Sequence, residues 1–243
     1  MAATPSAEPL IHPRLLRIFE RTMPWLERLH RHRAVGLEHF PRTGPVLVAL
    51  HHTFATYDGI LLARAIHEAT GRIGVGLGDD LIFKVPGLRR FGWNASIRPA
   101  NPENGLTLLR EGHVVFVAPG GMREGLRPTT EARQHRWHKR KGFIRLALEA
   151  QVPLVVAACP AGDDLYTVYE SPLTKLAYKR GKLPLPLVRG WGPTALPRPV
   201  ALTHYFSPPI TPPPLDRDGV EAQVDALHAR ACEVMDGLLA RRD

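Results

Sequence analysis

Cysteine is scarce in this sequence: Cys159 and Cys232 are the only two in 243 residues, each in an apolar stretch and without CxxC or Cys/His ligand spacing. That weighs against a disulfide framework and a structural zinc site, so no metal is expected. Long apolar runs are also missing. None reaches the roughly 18–20 residues of a membrane-spanning helix, and the N-terminus lacks the apolar core of a secretory signal. The expectation is a cytoplasmic protein, peripherally associated with a membrane rather than crossing it. There is no GxSxG elbow, which argues against an α/β-hydrolase. Gly74-Val-Gly-Leu-Gly78 lacks both the GxGxxG spacing and the following helix of a dinucleotide loop. His135 and His138 stand three apart without an evident third ligand.

What is present is positive charge. Lys and Arg number 32 against 23 Asp and Glu, a formal net charge of +9. Such a balance attracts an anionic partner: nucleic acid, an acidic membrane face or a phosphorylated ligand. A hydrophobic content of 44% supplies a sizeable core, and the 24 prolines crowd the C-terminal third. Residues 1–9 read as a frayed terminus. From 10 to 29, Ile11, Leu15, Phe19, Met23 and Leu26 recur at helical spacing among Arg14, Arg17, Arg21 and Arg28, with Pro24 placed to kink or divide the helix. Such a basic amphipathic helix either lies in the interface of an anionic bilayer or packs on its own domain. The organisation read from this is a basic helical segment at 1–33 and a catalytic domain at 34–243.

Short apolar runs alternate with helical periodicity along the rest of the chain. Strands are expected at 34–40, 46–50, 72–77, 114–118, 152–158 and 200–206, and helices at 60–69, 104–110, 142–150 and 220–240. The pattern predicts an α/β fold, a mostly parallel central sheet flanked by helices. Polar loops follow two of the buried strands, where ligands bind in open α/β sheets.

The first loop runs from His51 and His52 to Asp58. Neutral histidine suits proton removal from a hydroxyl, because its pKa lies near working pH. A carboxylate nearby can fix its tautomer and stabilise the imidazolium. The plainer reading makes Asp58 a helix cap and His52 a hydrogen-bonded strand-end residue. The second loop is Pro119-Gly-Gly-Met-Arg-Glu124. Paired glycines permit close backbone approach, their N–H groups suit an oxyanion or phosphate, and Arg123 offers a fork for an anion.

Taken in order, the His52–Asp58 loop, Phe83-Lys-Val-Pro86, the Pro-Gly-Gly-x-Arg-Glu loop, Arg140-Lys-Gly-Phe143 and Val152-Pro-Leu-Val155 resemble the lysophospholipid and glycerolipid acyltransferase superfamily. The likeness is to its diacylglycerol and monoacylglycerol acyltransferase-like branch and covers roughly residues 35–213. Five residues separate His52 from Asp58, as in that branch, where the superfamily usually has four. The usual Glu-Gly-Thr-Arg phosphate loop is altered: Gly120 replaces its glutamate, while Gly121 and Arg123 match. That departure argues against lysophosphatidate and is compatible with a neutral glycerolipid or other alcohol acceptor.

The resemblance implies an O-acyltransferase acting on a lysophospholipid or neutral glycerolipid, with acyl-CoA or acyl-carrier protein as donor substrate and no separate cofactor. His52 is then the general base and Asp58 its partner; Gly120, Gly121, Arg123 and Glu124 bind substrate. Partners are the thioester donor, the lipid acceptor and an anionic membrane surface, without nucleic acid. The alternative is a catalytically silent lipid-binding protein on the same scaffold. The catalytic reading requires the imidazole and carboxylate to meet beside a glycine-lined pocket wide enough for a lipid tail. Two features stay outside it: the basic stretch Arg133, Arg136, Lys139, Arg140, Lys141 and Arg145 around Trp137, and the proline-rich residues 183–214, either an acyl groove, a membrane-dipping cover or a wrap over the sheet.

Overall fold

Apolar pentads bounded by turn residues build the centre of the molecule. The computed structural model describes residues 10–170 and 187–241, which leaves the expected frayed terminus and residues 183–186 outside the described residues. In chain order the elements are α1 (Pro13–Leu29), β1 (Arg33–Val35), β2 (Val46–Leu50), α2 (Gly59–Thr70), β3 (Gly74–Gly78), α3 (Asp80–Lys84), α4 (Pro86–Asn94), β4 (Ile97–Pro99), α5 (Pro102–Arg110), β5 (Val114–Val117), α6 (Gly121–Gly125), α7 (Gly142–Ala150), β6 (Leu154–Ala158), β7 (Thr167–Tyr169), β8 (Leu187–Arg189), β9 (Thr203–Phe206) and α8 (Val220–Leu239).

Seven strands form one sheet in the order β1-β9-β6-β2-β5-β3-β4, and β7 pairs with β8 separately. All neighbours in the large sheet are parallel except β6 and β9. Strand β2 is buried along its whole length. Its alternate residues enter different cores, Leu47 and Ala49 against α5, α7 and α8, Val46 and Val48 against α2. A strand covered on both faces reads as a continuous apolar run, which is why the sequence exposes it clearly.

Three local expectations change. The strand expected at 34–40 ends at Val35, because Gly36 turns the chain with φ 86° into a short 3₁₀ turn, Leu37–His39. Pro24 neither divides α1 nor ends it. The helix keeps its course because its apolar stripe is held from below: Met23 is buried, and Leu15, Phe19 and Leu26 are half-buried, α1 lying against α2. The stripe thus faces the domain, while Ile18, Trp25 and the four arginines stay exposed. Helices α3 and α4 lie where the sequence shows no helical periodicity. One is a single turn, and the other opens on Pro86 and contains two glycines and two aromatic residues, a composition that reads as loop.

The basic stretch also resolves. Arg133 pairs with Asp164, Arg136 with Glu131, Lys141 with Asp225 and Arg145 with Glu221. Trp137 is 0% exposed and packs on Phe143. In the proline-rich stretch, Tyr205 and Phe206 are buried in the sheet, whereas Leu187, Trp191 and Leu196 are exposed around β8.

Candidate active site

Parallel strands β2, β5 and β6 deliver three loops to one sheet edge: His51–Asp58, Pro119–Glu124 and the 3₁₀ turn Pro160–Leu165. Strand β9 runs against β6, and β1 runs with β9. Their first residues therefore arrive at the edge where the others end, which brings His204 of β9 and His32, just before β1, to the same place.

His52 and Asp58 meet through Thr53. The His52 ring places Nδ1 2.8 Å from the Thr53 carbonyl oxygen. A carbonyl only accepts, so Nδ1 carries the proton and Nε2 keeps its lone pair. Asp58 accepts a short hydrogen bond from the Thr53 hydroxyl through Oδ1, and its Oδ2 lies 3.3 Å from His204 Nε2. Among the described residues, no hydrogen bond joins the His52 ring to the Asp58 carboxylate. Asp58 does occupy the N-cap position of α2, but its side chain makes no cap bond. It is 3% exposed and turned inward, so the capping alternative fails. Ala55 and Thr56 between them have φ of 56° and 51°, left-handed conformations that cost about 1–2 kcal/mol each for residues with a Cβ. Backbone strain of this kind concentrates at functional loops.

The second loop braces the first. Glu124 is 0% exposed; its Oε1 accepts from the His52 N–H and its Oε2 from the Arg136 N–H, both at 2.6 Å. Expected among the substrate contacts, it instead holds the backbone beneath His52. Arg127, which the sequence reading passed over, is buried. Its Nη1 donates to the carbonyls of His52 and Glu124 at 2.7 Å, and its Nη2 lies 2.6 Å from His51 Nε2 and pairs with Asp163. Gly125 packs against the His52 ring, for a Cβ there would sit 2.6 Å from His52 Nδ1. Gly121 has φ 55° and gives its N–H to the Ala118 carbonyl, and Gly120 packs against the Glu124 carboxylate. Arg123 is exposed, and Arg140 reaches the Pro119 carbonyl at 3.4 Å, beside Gly121.

Electrostatics favour a neutral imidazole over an anionic partner. Burial holds His52 below the ordinary histidine value, outweighing the Thr53 carbonyl and Asp58, which act the other way. Burial lowers His51 to about 4 and His32 to about 3. For Asp58, burial alone would raise the pKa; His204, Thr53 and His51 outweigh it and keep the carboxyl below its usual range. Burial raises Glu124 against the pull of its two backbone donors and Arg127.

Two further features were not legible beforehand. The cavity lined by Glu124, Gly125, Arg127 and Asp163 has a volume of about 10 Å³, room for one water, so the wide glycine-lined pocket expected for a lipid tail is not formed there. Asp58, Cys159 and His204, all buried, each offer one ligand atom within 4.8 Å of the others. With Oδ1 of Asp58 taken by Thr53, that set falls short of the four ligands of a closed tetrahedral site.

Comparison with known proteins finds a family, sequence relatives and a shared fold. The family model described as Acyltransferase matches residues 31–159. A Bos taurus protein named "DGAT1/2-independent enzyme synthesizing storage lipids" is 26% identical over 216 residues, covering 87% of this chain and 64% of its own length. The Homo sapiens protein of that name is 25% identical over 216 residues, covering 87% and 66%. This chain therefore spans just under two thirds of those relatives. Among solved structures, the 1-acyl-sn-glycerophosphate acyltransferase PlsC from Thermotoga maritima superposes with a TM-score of 0.55 at 13% identity, over 94% of this chain and 84% of that one; at that identity the likeness is one of fold.

Proposed function

The chain belongs to the Acyltransferase family, and from that membership we propose that it transfers a fatty acyl group from acyl-CoA or acyl-carrier protein to the hydroxyl of a glycerolipid. The carrying observation is the His52 ring, with Nδ1–H fixed on the Thr53 carbonyl and Nε2 left as the acceptor. Nε2 takes the proton of the acceptor hydroxyl as its oxygen attacks the thioester carbonyl. The tetrahedral intermediate collapses, the C–S bond breaks, and the thiolate leaves with the proton from the imidazolium. The buried Asp58 carboxylate stabilises that imidazolium through space and steadies Thr53. Arg140, beside Gly121, and the exposed Arg123 suit the phosphates of the donor.

The replacement of the usual loop glutamate by Gly120 favours a neutral acceptor, as does the storage-lipid activity named for the relatives. The test offers labelled acyl-CoA and labelled acyl-carrier protein with a panel of lysophospholipids, monoacylglycerol and diacylglycerol. Ester formed on a neutral glycerolipid supports the reading. Free fatty acid alone, or ester on lysophosphatidate only, contradicts it.

The acceptor is insoluble, so the enzyme must meet a lipid surface. The hairpin of α3 and α4 supports that reading better than the stripe of α1. Val85, Leu88, Phe91 and Trp93 are all exposed, Phe91 by 56%, beside the exposed Lys84, Arg89 and Arg90. No acidic residue occurs from 81 to 102. An open groove of about 490 Å³ lies between Phe83, Lys84, Pro86, Arg89, Arg90 and Trp93. Apolar and aromatic groups mixed with cations suit the interface of an anionic bilayer. The hairpin follows β3 at the edge that carries His52. Leu88→Ser with Phe91→Ser is expected to weaken co-sedimentation with phosphatidylglycerol-containing vesicles by about tenfold or more, from the apolar area lost. Unchanged binding would remove the hairpin from the membrane contact.

A further inference from the structure

The sheet topology gives Asp58 a partner that no spacing in the chain announces. His204 lies in β9, 1% exposed, with Nε2 facing Asp58 Oδ2 at 3.3 Å. Its Nδ1 is 2.8 Å from His32 Nε2. Asp58 as a carboxylate can only accept, so His204 turns Nε2–H towards it, at ion-pair distance rather than in hydrogen-bond geometry, and a neutral His204 then accepts at Nδ1 from His32 Nε2–H. Each ring is thereby held in one tautomer. The carboxylate has two oxygens and two supports, Thr53 on Oδ1 and His204 on Oδ2.

We propose that His204, backed by His32, is a positioning residue for the acyl-transfer reaction, holding the Asp58 carboxylate ionised and aimed at the Thr53 hydroxyl so that the Thr53 carbonyl keeps the His52 tautomer. The contact chain runs His32, His204, Asp58, Thr53, His52. A buried carboxylate without a donor faces the full cost of its desolvation, and Asp58 is buried completely enough for that cost to matter. The charged and titratable groups facing it come from every neighbouring element: His204 on β9, His32 before β1, His51 and His52 after β2, and Cys159 after β6. His204 and Thr53 lie directly against its two oxygens. This role rests on His52 being the base.

The test compares the wild type with His204→Ala, His204→Gln and His52→Ala, each checked for folding by circular dichroism and thermal melting. His204→Ala is expected to lower kcat about ten- to a hundredfold, the scale of a misplaced catalytic group, while KM stays within about twofold, since no substrate contact is lost. The acid limb of kcat/KM should move to higher pH, because an unsupported Asp58 takes up a proton before His52 does and then sets the limb that His52 sets in the wild type. His204→Gln, which restores an N–H donor, should recover part of kcat and return the limb towards its wild-type position. A folded His204→Ala with wild-type kcat and an unmoved acid limb would overturn the proposal. So would an equimolar divalent metal in the wild type that His204→Ala loses, since Nε2 would then be a ligand. Full activity in His52→Ala would instead overturn the underlying base assignment, so the two failures are separable.

Discussion

Replacing His52 with alanine is expected to lower acyl transfer by about 10²–10⁴-fold, the contribution of a positioned general base, while the domain stays folded. The expectation of folding is specific. What anchors position 52 is its backbone: the N–H goes to Glu124 and the carbonyl to Arg127. Both survive truncation to alanine. Among the described residues the ring bonds to the neighbouring Thr53 carbonyl, with a long contact to the Thr56 hydroxyl at 3.4 Å. Labelled ester formation by a variant with a wild-type circular dichroism spectrum is the measurement. Activity close to wild type would show that the proton is taken elsewhere.

Arg127→Met should produce the largest loss of stability. The guanidinium is buried among the His52 and Glu124 carbonyls, His51 Nε2 and the Asp163 carboxylate. Removing one partner of a buried ion pair leaves the other charge uncompensated, at a cost of about 3–5 kcal/mol. For a chain of this size that lowers Tm by on the order of 10 °C. Activity should fall with it if His52 is the base, because the His52 carbonyl loses its donor. The double variant Arg127→Met with Asp163→Leu removes both charges and should melt above the single variant. Equal melting of wild type and Arg127→Met would place the pair outside the stability of the site.

What could be read in the sequence followed from locality. Strands β2, β5 and β6 are apolar runs ended by turn residues, and helix α7 was placed to the residue. The loops bearing His52 and Gly120 follow such strands, so their arrival at one sheet edge was foreseeable from parallel pairing alone. The remainder depends on direction and depth. His204 sits in an ordinary apolar strand and reaches Asp58 only because β9 runs opposite to β6, which no local pattern encodes. Glu124 and Arg123 are adjacent in sequence, yet one faces inward to brace the His52 amide and the other is exposed; a five-residue helix gives too little periodicity to separate them. Arg127 resembled any surface arginine until its four buried partners were visible. Thr53 was hidden for the opposite reason. It lies between the two residues that drew attention, and a histidine and an aspartate in one loop invite a direct bond that the fold replaces with a shared threonine.

The most direct measurement is the pH dependence of kcat/KM for ester formation on a neutral glycerolipid. Burial holds His52 below the ordinary value of about 6.5, and Asp58 is held lower still in its own range. Activity is lost on the acid side when Nε2 becomes protonated, so the half-maximal point is predicted below pH 6.5, with a plateau through neutrality. A half-maximal point at or above the ordinary histidine value, or an acid limb unchanged in His52→Ala, would contradict a neutral imidazole at position 52 as the base.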